Sequence, residues 1–424
     1  MAANHPVDNS HLTALASLIS FSVQEIVATY ASIGQAVPSL DSVEPGPFDG
    51  AVEDAPERLI HAVKVIQAAC MQLVSTVANP SGIVYDRANA HAEPSCLLVA
   101  TKARIADLLV DKPEGVHVAQ LAALSGFQDS DKLGRMMRLL ATRHIFREVR
   151  PGVYANNRLS VKLTSSNPMS DLVGLVTEVG LLASARLNET YTTKPQTNNE
   201  TPFQRATGHA FFNWHSLPEN REKGERFQRA MVAWSFVYGI GFLSKVYPWM
   251  VYPSGCTVCD IGSGNGHVMM DLLKKNPRLH IVLQDQPGVI ERTKEYWTKE
   301  YPRAIEEQKV KFVPFNFFKD AVVERCDVYY LKGILHDWVD SDCLIILRNV
   351  RKAMKPGAKL LIQEIVIRSV APSHSSLQGS APEPLLPNWG ASSTRLYEED
   401  IAMMRLHNAK ERMLEEFTSL WWVK

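Results

Sequence analysis

Two stretches of the sequence carry residues that could bind and activate a small molecule. In the first, Thr257–His267, a short apolar run ends in Asp260 and glycines follow at positions 262, 264 and 266. Glycine lets a turn take positive φ and lets backbone approach a ligand, and the helix predicted behind it exposes free N–H groups. The apolar run Ile281–Asp285 ends in an acid about 20 residues later, where a carboxylate can bind a ribose diol. A nucleotide-type cofactor is favoured over a glycine-rich turn without a ligand.

The second stretch, Leu331–Trp338, places His336 just after another apolar run. Ligands of open α/β sheets bind beyond the carboxyl ends of the strands, and a neutral histidine there can take a proton from a phenol or another acidic hydroxyl. Glu364 on the next strand, or Glu411 on the final helix, could orient the imidazole. A structural histidine with two surface acids is the alternative, which each residue taken alone would favour.

Strand and helix patterns alternate after residue 251. Strands are predicted at 256–261, 280–285, 310–314, 326–331 and 359–367, and helices at 267–275, 287–299, 341–354 and 398–417. This alternation predicts a parallel sheet with helices on both faces. The loop 368–394 is rich in Ser and Pro and is predicted to be polar and mobile.

The first 245 residues have mainly helical periodicity. Apolar helices are predicted at 11–34 and about 56–77, and another at 222–246. Within 96–163, helices at 97–109, 118–124 and 130–143 precede two short strands, which is a winged-helix pattern. Winged helices often bind DNA, but the wing offers only Arg147 and Arg150 for basic contacts. We therefore favour a structural or dimerisation role.

An aromatic and methionine-rich set precedes the predicted sheet. It comprises Phe211, Phe212, Trp214, Phe227, Met231, Trp234 and Phe236. These residues could form a hydrophobic core or line an apolar substrate pocket, and the sequence favours neither.

Composition excludes several classes of function. Lys+Arg and Asp+Glu each number 45 in the 424 residues, so bulk electrostatic attraction to nucleic acid is not expected. Cys256 and Cys259 have CxxC spacing, but Cys259 falls inside a strand, which favours packing over metal or redox chemistry. No Lys or Arg precedes Leu12–Val23, so a signal peptide is not expected, and no run is expected to reach the roughly 18 apolar residues of a membrane span. We expect a cytoplasmic protein that binds neither membrane nor nucleic acid.

Several motifs in a fixed order resemble those of one enzyme family. They are Asp260-Ile261-Gly262-Ser263-Gly264-Asn265-Gly266, Gln284-Asp285-Gln286-Pro287, Leu335-His336-Asp337-Trp338 and Lys410-Glu411-Arg412. The resemblance covers most of the chain and is to S-adenosylmethionine-dependent O-methyltransferases of the plant caffeic-acid and fungal secondary-metabolite type. It implies an α/β protein with a Rossmann-like cofactor-binding domain at 246–424. It also implies a helical dimerisation domain at 1–245, with the winged helix at about 96–163.

The resemblance further implies roles for individual residues. His336 would be the general base, with Glu364 and Glu411 beside it. S-adenosylmethionine would be contacted by Gly262, Gly264, Asp285, Asn316, Phe317 and Lys332. The acceptor pocket would be lined by Phe227, Met231, Trp234, Met404 and Asn408. The expected reaction is methyl transfer to a hydroxyl of a phenolic or polyketide-like small molecule, in a homodimer and without a metal.

Two features depart from the family pattern. Asn316 stands where the family often has Asp, although an amide still donates and accepts hydrogen bonds. After Glu416 only residues 417–424 follow, so we expect the family's terminal antiparallel strand pair to be missing. Two other functions stay open: a methyltransferase-like pericyclase, and a non-catalytic cofactor-binding or winged-helix regulatory protein.

Overall fold

A computed structural model describes residues 9–195, 199–371 and 381–421. The chain divides into two compact units. The first contains residues 1–181 and 368–397, and the second contains residues 182–367 and 398–424. Residues 182–245, predicted as part of the N-terminal domain, thus lie in the second unit.

The first unit is mainly helical. Its helices are α1 Ser10–Ala31, α2 Glu57–Val77, α3 Pro80–Ala88, α4 Ala92–Lys102, α5 Ile105–Leu108, α6 Val118–Ser125, α7 Ser130–Thr142 and α8 Pro168–Ser184, the last of which continues into the second unit. The single helix predicted at 97–109 is wrong, because Arg104 takes φ 52° and separates α4 from α5. Neither Gly nor Pro marks that break in the sequence.

The winged helix forms as predicted, with one additional strand. Strands β1 Val116–His117, β2 Arg147–Arg150 and β3 Val153–Ala155 form an antiparallel sheet in the order β1-β3-β2. Only two residues make up β1, too few for a period-two pattern to reveal. Tyr154 on β3 is fully buried in a core that it shares with Leu121, Met137 and Leu140.

A segment that follows the last sheet strand belongs to the first unit. Its residues Leu385 and Trp389 are buried against Leu15 of α1 and Val65 of α2. Lys64 lies 4.5 Å from the centre of the Trp389 ring. The prediction of a polar, mobile loop is therefore wrong for residues 381–394, since two apolar side chains anchor them. Residues 372–380 of that loop lie outside the described part of the chain.

The second unit contains a parallel sheet between helices. Five helices come first among its described residues: α9 Leu187–Thr192, α10 Pro202–Thr207, α11 Phe211–Ser216, α12 Arg221–Tyr238 and α13 Phe242–Val246. The alternating part is β4 Thr257–Ile261, α14 His267–Lys275, β5 His280–Asp285, α15 Pro287–Glu300, α16 Pro302–Glu306, β6 Val310–Pro314, β7 Val328–Lys332, α17 Asp340–Ala353, β8 Lys359–Gln363, α18 Thr394–His407 and α19 Leu414–Trp421. Helix α18 begins in the first unit.

The five strands of this sheet are ordered β6-β5-β4-β7-β8 and are all parallel. Successive residues of β4 face opposite cores, with Val258 in one cluster and Cys259 in the other. Among the described residues this sheet contains no antiparallel strand pair. Phe417 and Leu420 of α19 are buried in the second of these cores.

Several other predicted elements end or divide at residues that differ from the prediction. The helix predicted at 222–246 ends at Tyr238, because Gly239 takes φ 91°. Strand β8 ends at Gln363, so Glu364 follows the strand. The final helix divides into α18 and α19, and Glu411 lies on the loop between them, where Asn408 takes φ 56°.

Three stretches are long and apolar enough to cross a membrane by length and composition alone. They are Ser10–Ala31, Glu57–Val77 and Pro168–Thr192. The expectation that no run reaches this length is therefore wrong. Polar residues interrupt each stretch, but few are charged, so the mean hydropathy stays high.

Trp389→Ala should lower the stability of the first unit, because it removes a large side chain that is only 6% exposed. We expect a loss of about 3 kcal/mol in the free energy of unfolding, measured by denaturant unfolding. Leu386→Ala is the matched control, since Leu386 is 48% exposed and should change stability by only about 0.5 kcal/mol. Equal losses in the two variants would show that Trp389 does not anchor the segment.

Candidate active site

The glycine-rich loop lies between β4 and α14 and requires glycine for steric reasons. Gly262, Gly264 and Gly266 take φ of 77°, 54° and 71°, a region that costs other L-residues roughly 1–2 kcal/mol. A Cβ on Gly262 would lie 2.3 Å from Ile334 Cδ1, and one on Gly266 would lie 2.7 Å from Leu283 Cδ1. The loop therefore packs closely against its neighbours, and no side chain covers its backbone at these three positions.

Asp285 holds this loop from the end of the adjacent strand β5. Its Oδ2 accepts a 2.8 Å hydrogen bond from the Gly264 N–H, and its Oδ1 accepts one from the Gln286 N–H. Burial raises the pKa of Asp285 to about 6, against the lowering effect of these two N–H groups. At neutral pH the carboxylate is therefore mainly ionised.

The other predicted cofactor residues lie at the same edge of the sheet. Phe317 packs beside the loop, since a Cβ on Gly262 would lie 3.4 Å from its ring. The Asn316 amide oxygen accepts the Phe318 N–H within its own turn. Lys332 ends β7, and its Nζ lies 3.1 Å from Ser235 Oγ and 4.5 Å from the centre of the Trp234 ring. The structure thus brings the predicted cofactor residues to neighbouring strand ends.

The groups around the loop fit a polar, cationic cofactor such as S-adenosylmethionine. The Ser263 hydroxyl oxygen is buried and has no hydrogen-bond partner among the described residues. Asp260 is only 4% exposed, and burial together with the charge of Asp285 raises its pKa to about 8, opposed by Lys332. A cation bound nearby would favour both carboxylates in their ionised forms. Gly262, Gly264, Asp285 and Lys332 would hold this cofactor.

His336 lies in a short 3-10 turn, Leu335–Asp337, that follows β7. Its Nδ1 is 2.7 Å from Glu411 Oε1 and 3.9 Å from Glu364 Oε2. Its Nε2 is 3.8 Å from Asp337 Oδ1. The structure therefore brings together all three residues predicted for acid–base chemistry and adds a third carboxylate.

Buried hydrogen bonds fix the turn that carries His336. Glu364 Oε1 accepts the N–H groups of Ile334 and Leu335 at 2.9 and 2.7 Å. The fully buried Arg412 donates to the carbonyl oxygens of Leu335 and Trp338 at 2.7 and 2.8 Å. Because Arg412 adjoins Glu411, one short segment both clamps the turn and orients the imidazole.

The carboxylates control the charge of His336. Burial disfavours the imidazolium, but Asp337, Glu364 and Glu411 outweigh it and raise the pKa of His336 to about 10. Burial raises the pKa of Asp337 to about 7, opposed by His336. The Oε2 atoms of Glu364 and Glu411 are buried and have no hydrogen-bond donor among residues 9–195, 199–371 and 381–421, so the positive charge of the nearby imidazolium stabilises both carboxylates. At neutral pH the imidazole of the free protein is therefore protonated.

The predicted acceptor residues lie on α12 and on or just after α18, and one of them contacts this cluster. Phe227, Met231 and Trp234 follow one another at helical spacing on α12, and the Trp234 ring centre is 6.2 Å from that of His336. Met404 lies on α18, and Asn408 follows that helix. Phe227 also contacts Phe211 and His215, at ring separations of 5.6 and 5.2 Å. Trp234 thus lies beside His336, and the lining of an acceptor pocket by the other residues stays a prediction.

Sequence reasoning missed Asp337, His407 and Ser235 as members of the site. His407 Nε2 lies 3.4 Å from Asp337 Oδ1, and its ring packs against Phe211 and Phe212. Asp337 adjoins the predicted base, which was a usable signal. His407 and Ser235 are single polar residues in helices, and nothing in their spacing distinguishes them.

The cluster also has the spacing of a metal site. Ligand atoms of His336, Glu364 and Glu411 lie within 4.8 Å of one another. The 2.7 Å separation of His336 Nδ1 and Glu411 Oε1 is a hydrogen bond, and two ligands of a tetrahedral ion lie farther apart, at about 3.3 Å. The geometry favours acid–base chemistry, and the absence of a metal stays a prediction.

Comparison with known proteins identifies the family of this chain. The family model described as the O-methyltransferase domain matches residues 191–422, and the O-methyltransferase dimerisation domain matches residues 85–166. The chain belongs to the O-methyltransferase family. It is 43% identical to the 3-O-methyltransferase 2 of Phanerochaete chrysosporium, over 97% of this chain and 92% of the relative.

Two solved structures of O-methyltransferase-family relatives share the fold. The mitomycin 7-O-methyltransferase MmcR has a TM-score of 0.66 and 25% identity, over 82% of this chain and 92% of its own. CalO1, a methyltransferase of calicheamicin biosynthesis in its S-adenosylhomocysteine-bound form, has a TM-score of 0.59 and 25% identity, over 81% and 91%. The family to which this O-methyltransferase belongs uses S-adenosylmethionine.

Gly262→Ala should weaken cofactor binding, because the added Cβ would collide with Ile334 and move the loop. We expect S-adenosylhomocysteine to bind more than tenfold more weakly, measured by titration calorimetry. Gly255→Ala is the matched control: Gly255 takes φ 84°, and a Cβ there would meet nothing within 4 Å. It should cost similar stability, roughly 1–2 kcal/mol, and leave binding unchanged. Normal binding by Gly262→Ala would contradict the placement of the cofactor.

Proposed function

We propose that this protein transfers a methyl group from S-adenosylmethionine to a hydroxyl of a phenolic or polyketide-like small molecule, with His336 as general base. The observation that carries the proposal is the position of His336 and its carboxylates. His336 and Asp337 follow β7, whose direct neighbour β4 carries the glycine-rich loop, and Glu364 and Glu411 reach His336 from later parts of the chain. Chain order reverses between these two strands, which is where open α/β sheets bind their ligands.

The chemistry divides between cofactor and protein. S-adenosylmethionine supplies an electrophilic methyl group on a positively charged sulfur. The neutral form of His336, whose fraction increases with pH, accepts the proton of the acceptor hydroxyl at Nε2 while its Nδ1–H donates to Glu411, so the tautomer is fixed. The aromatic rings of α11 and α12 exclude water and hold the acceptor oxygen in place.

A phenolic acceptor matches the proton affinity of this base. The pKa of His336 is about 10, close to the value of about 10 for an ordinary phenol. Proton transfer from a phenol to neutral His336 therefore costs little free energy. An alkyl alcohol holds its proton far more tightly and would be a poor acceptor.

The first unit supports a homodimer and gives no support for DNA binding. Val84 and Tyr85 on α3 are 70% and 71% exposed, and Tyr85 begins the part of the chain that matches the dimerisation domain. On α7, Lys132 and Arg135 lie near Asp129 and Asp131, at 3.4 and 4.0 Å. These acids weaken a basic face that would bind phosphates. A second copy of this chain is the partner that fits.

All six cysteines are free thiols. Thiols persist in a reducing compartment, which supports a cytoplasmic location for the enzyme.

His336→Ala should lower kcat by about 10²–10⁴, because general-base catalysis is lost, while S-adenosylhomocysteine still binds. The assay measures transfer of labelled methyl from S-adenosylmethionine to a panel of phenols. His280→Ala is the matched control, since His280 is exposed at the start of β5. Undiminished transfer by His336→Ala would rule out the proposed base. A wild-type protein that binds cofactor but methylates no acceptor would favour the pericyclase or non-catalytic alternative.

Asp337→Asn should move the pH dependence of the reaction to lower pH. Because the pKa of His336 is about 10, the neutral base increases as the pH rises, and kcat/KM should rise with pH across the neutral range. Removing one of three carboxylates that raise this pKa should shift the rising limb down by about one unit. The measurement is kcat/KM against pH for both proteins. Coincident profiles would show that Asp337 does not set the charge of His336.

A further inference from the structure

A continuous line of hydrogen bonds runs from the glycine-rich loop to Lys332. Asn265 Oδ1 lies 2.5 Å from His267 Nδ1, and His267 Nε2 lies 2.6 Å from Ser235 Oγ. Ser235 Oγ lies 3.1 Å from Lys332 Nζ. The line joins the loop, the first residue of α14, helix α12 and the end of β7.

The donor and acceptor of each bond follow from the chemistry of the groups. Asn265 Oδ1 also accepts the backbone N–H of His267 at 3.3 Å, so the atom facing Nδ1 is the amide oxygen. Nδ1 must then carry a proton. Burial, with a contribution from Lys332, lowers the pKa of His267 to about 3, so the ring is neutral and Nε2 is an acceptor. The Ser235 hydroxyl therefore donates to Nε2 and accepts a hydrogen bond from Lys332.

We propose that His267 is a positioning residue of the cofactor site: fixed as its Nδ1–H form by Asn265, it turns the Ser235 hydroxyl so that the oxygen anchors the Lys332 ammonium beside the glycine-rich loop. This inference rests on the proposed function, because Lys332 is a cofactor residue only in an S-adenosylmethionine-dependent enzyme. Neither His267 nor Ser235 was among the predicted site residues.

Lys332 needs such an anchor because its surroundings offer little else. Among the described residues, Ser235 is the only hydrogen-bond acceptor of its ammonium, and the Trp234 ring lies 4.5 Å from Nζ. Burial lowers the pKa of Lys332 to about 8, opposed by the negative charges of Asp260 and Glu364. Two ammonium N–H groups remain for a bound molecule. If the Ser235 hydroxyl hydrogen instead pointed toward Lys332, its partial positive charge would repel the ammonium.

Two isosteric substitutions separate the two ends of the imidazole. In His267→Gln the terminal amide reaches the place of Nε2 and can accept from Ser235. In His267→Asn the shorter amide reaches the place of Nδ1 and can contact only Asn265. Both variants are neutral and polar, so a difference between them reports the contact to Ser235. Ser235→Ala removes the anchor itself.

The test measures binding of S-adenosylhomocysteine to the full chain by titration calorimetry, with the melting temperature measured in parallel. We expect His267→Asn and Ser235→Ala to bind about tenfold more weakly, the size of one hydrogen bond to a charged group. His267→Gln should bind within about twofold of wild type. The double variant His267→Asn/Ser235→Ala should be no weaker than either single variant, because both act through the same contact.

Several outcomes would overturn the inference. Equal affinities for His267→Asn and His267→Gln, or additive losses in the double variant, would show that His267 does not act through Ser235. A melting temperature that falls in proportion to affinity across all variants would indicate a structural role only. These results would leave the proposed function intact. A wild-type protein without affinity for S-adenosylhomocysteine would contradict the proposed function itself, and with it any positioning role for His267.

An independent readout needs no cofactor. In ¹H–¹⁵N spectra of protein labelled at histidine, the signal that His267→Asn removes should have its proton on Nδ1 and should not titrate between pH 5 and 8. A proton on Nε2 would reverse the direction of the Ser235 hydrogen bond and overturn the proposal.

Discussion

The hydrogen bond between His336 and Glu411 is the interaction on which the rest of the site depends. Two buried ionisable groups are costly unless each compensates the other, and here three carboxylates surround one imidazole. Glu364 has two roles. Its negative charge raises the pKa of His336, and its Oε1 accepts hydrogen bonds from two backbone N–H groups next to that histidine. Arg412 then fixes the carbonyl groups of the same turn. Charge and backbone geometry are therefore stabilised by the same few residues.

The sheet determines where this cluster can act. Strand β4 leads into the glycine-rich loop, and β7 beside it ends at Lys332 and leads into the turn that carries His336. Because the carboxyl ends of parallel strands lie at one edge of the sheet, residues that are far apart in sequence come together there. Asp285 fastens the loop to the neighbouring strand with a single carboxylate. The proposed cofactor site and the proposed base thereby lie at adjacent strand ends, and Trp234 of helix α12 lies beside both Lys332 and His336.

Much of this could be predicted from the sequence, for identifiable reasons. Strands β5 and β6 were predicted with correct bounds, because each is a short, mainly apolar run between turn signals. The tight turn between β4 and α14 was predicted from its three glycines, because few other residues adopt the positive φ that such a turn requires. The break between α4 and α5 was not predicted, because Arg104 adopts positive φ and no Gly or Pro marks that position in the sequence. Glu411 was placed on a helix because Met403, Met404, Leu406 and Leu414 share a helical period, yet Asn408 interrupts it.

Side-chain pairings were the least predictable feature. His267 and Ser235 are 32 positions apart, and neither belongs to a pattern that local periodicity can detect. The same is true of His407 and Asp337, whose contact depends on how the loop after α18 returns to the sheet. Motif order identified the chemistry, but the partners that tune it emerge only when the strands and helices are assembled.

The segment anchored by Trp389 limits how the two units can be separated or exchanged between genes. The chain leaves the second unit after Ile367, contributes Leu385 and Trp389 to the core of the first, and returns to supply Glu411. No single cut can divide the protein into two self-contained pieces. A shortened chain starting at residue 182 would expose Trp389 just before the helix that leads to the partner of the base. Gene fusions or exchanges that treat the helical part as a detachable module should therefore fail, unless residues 368–397 travel with it.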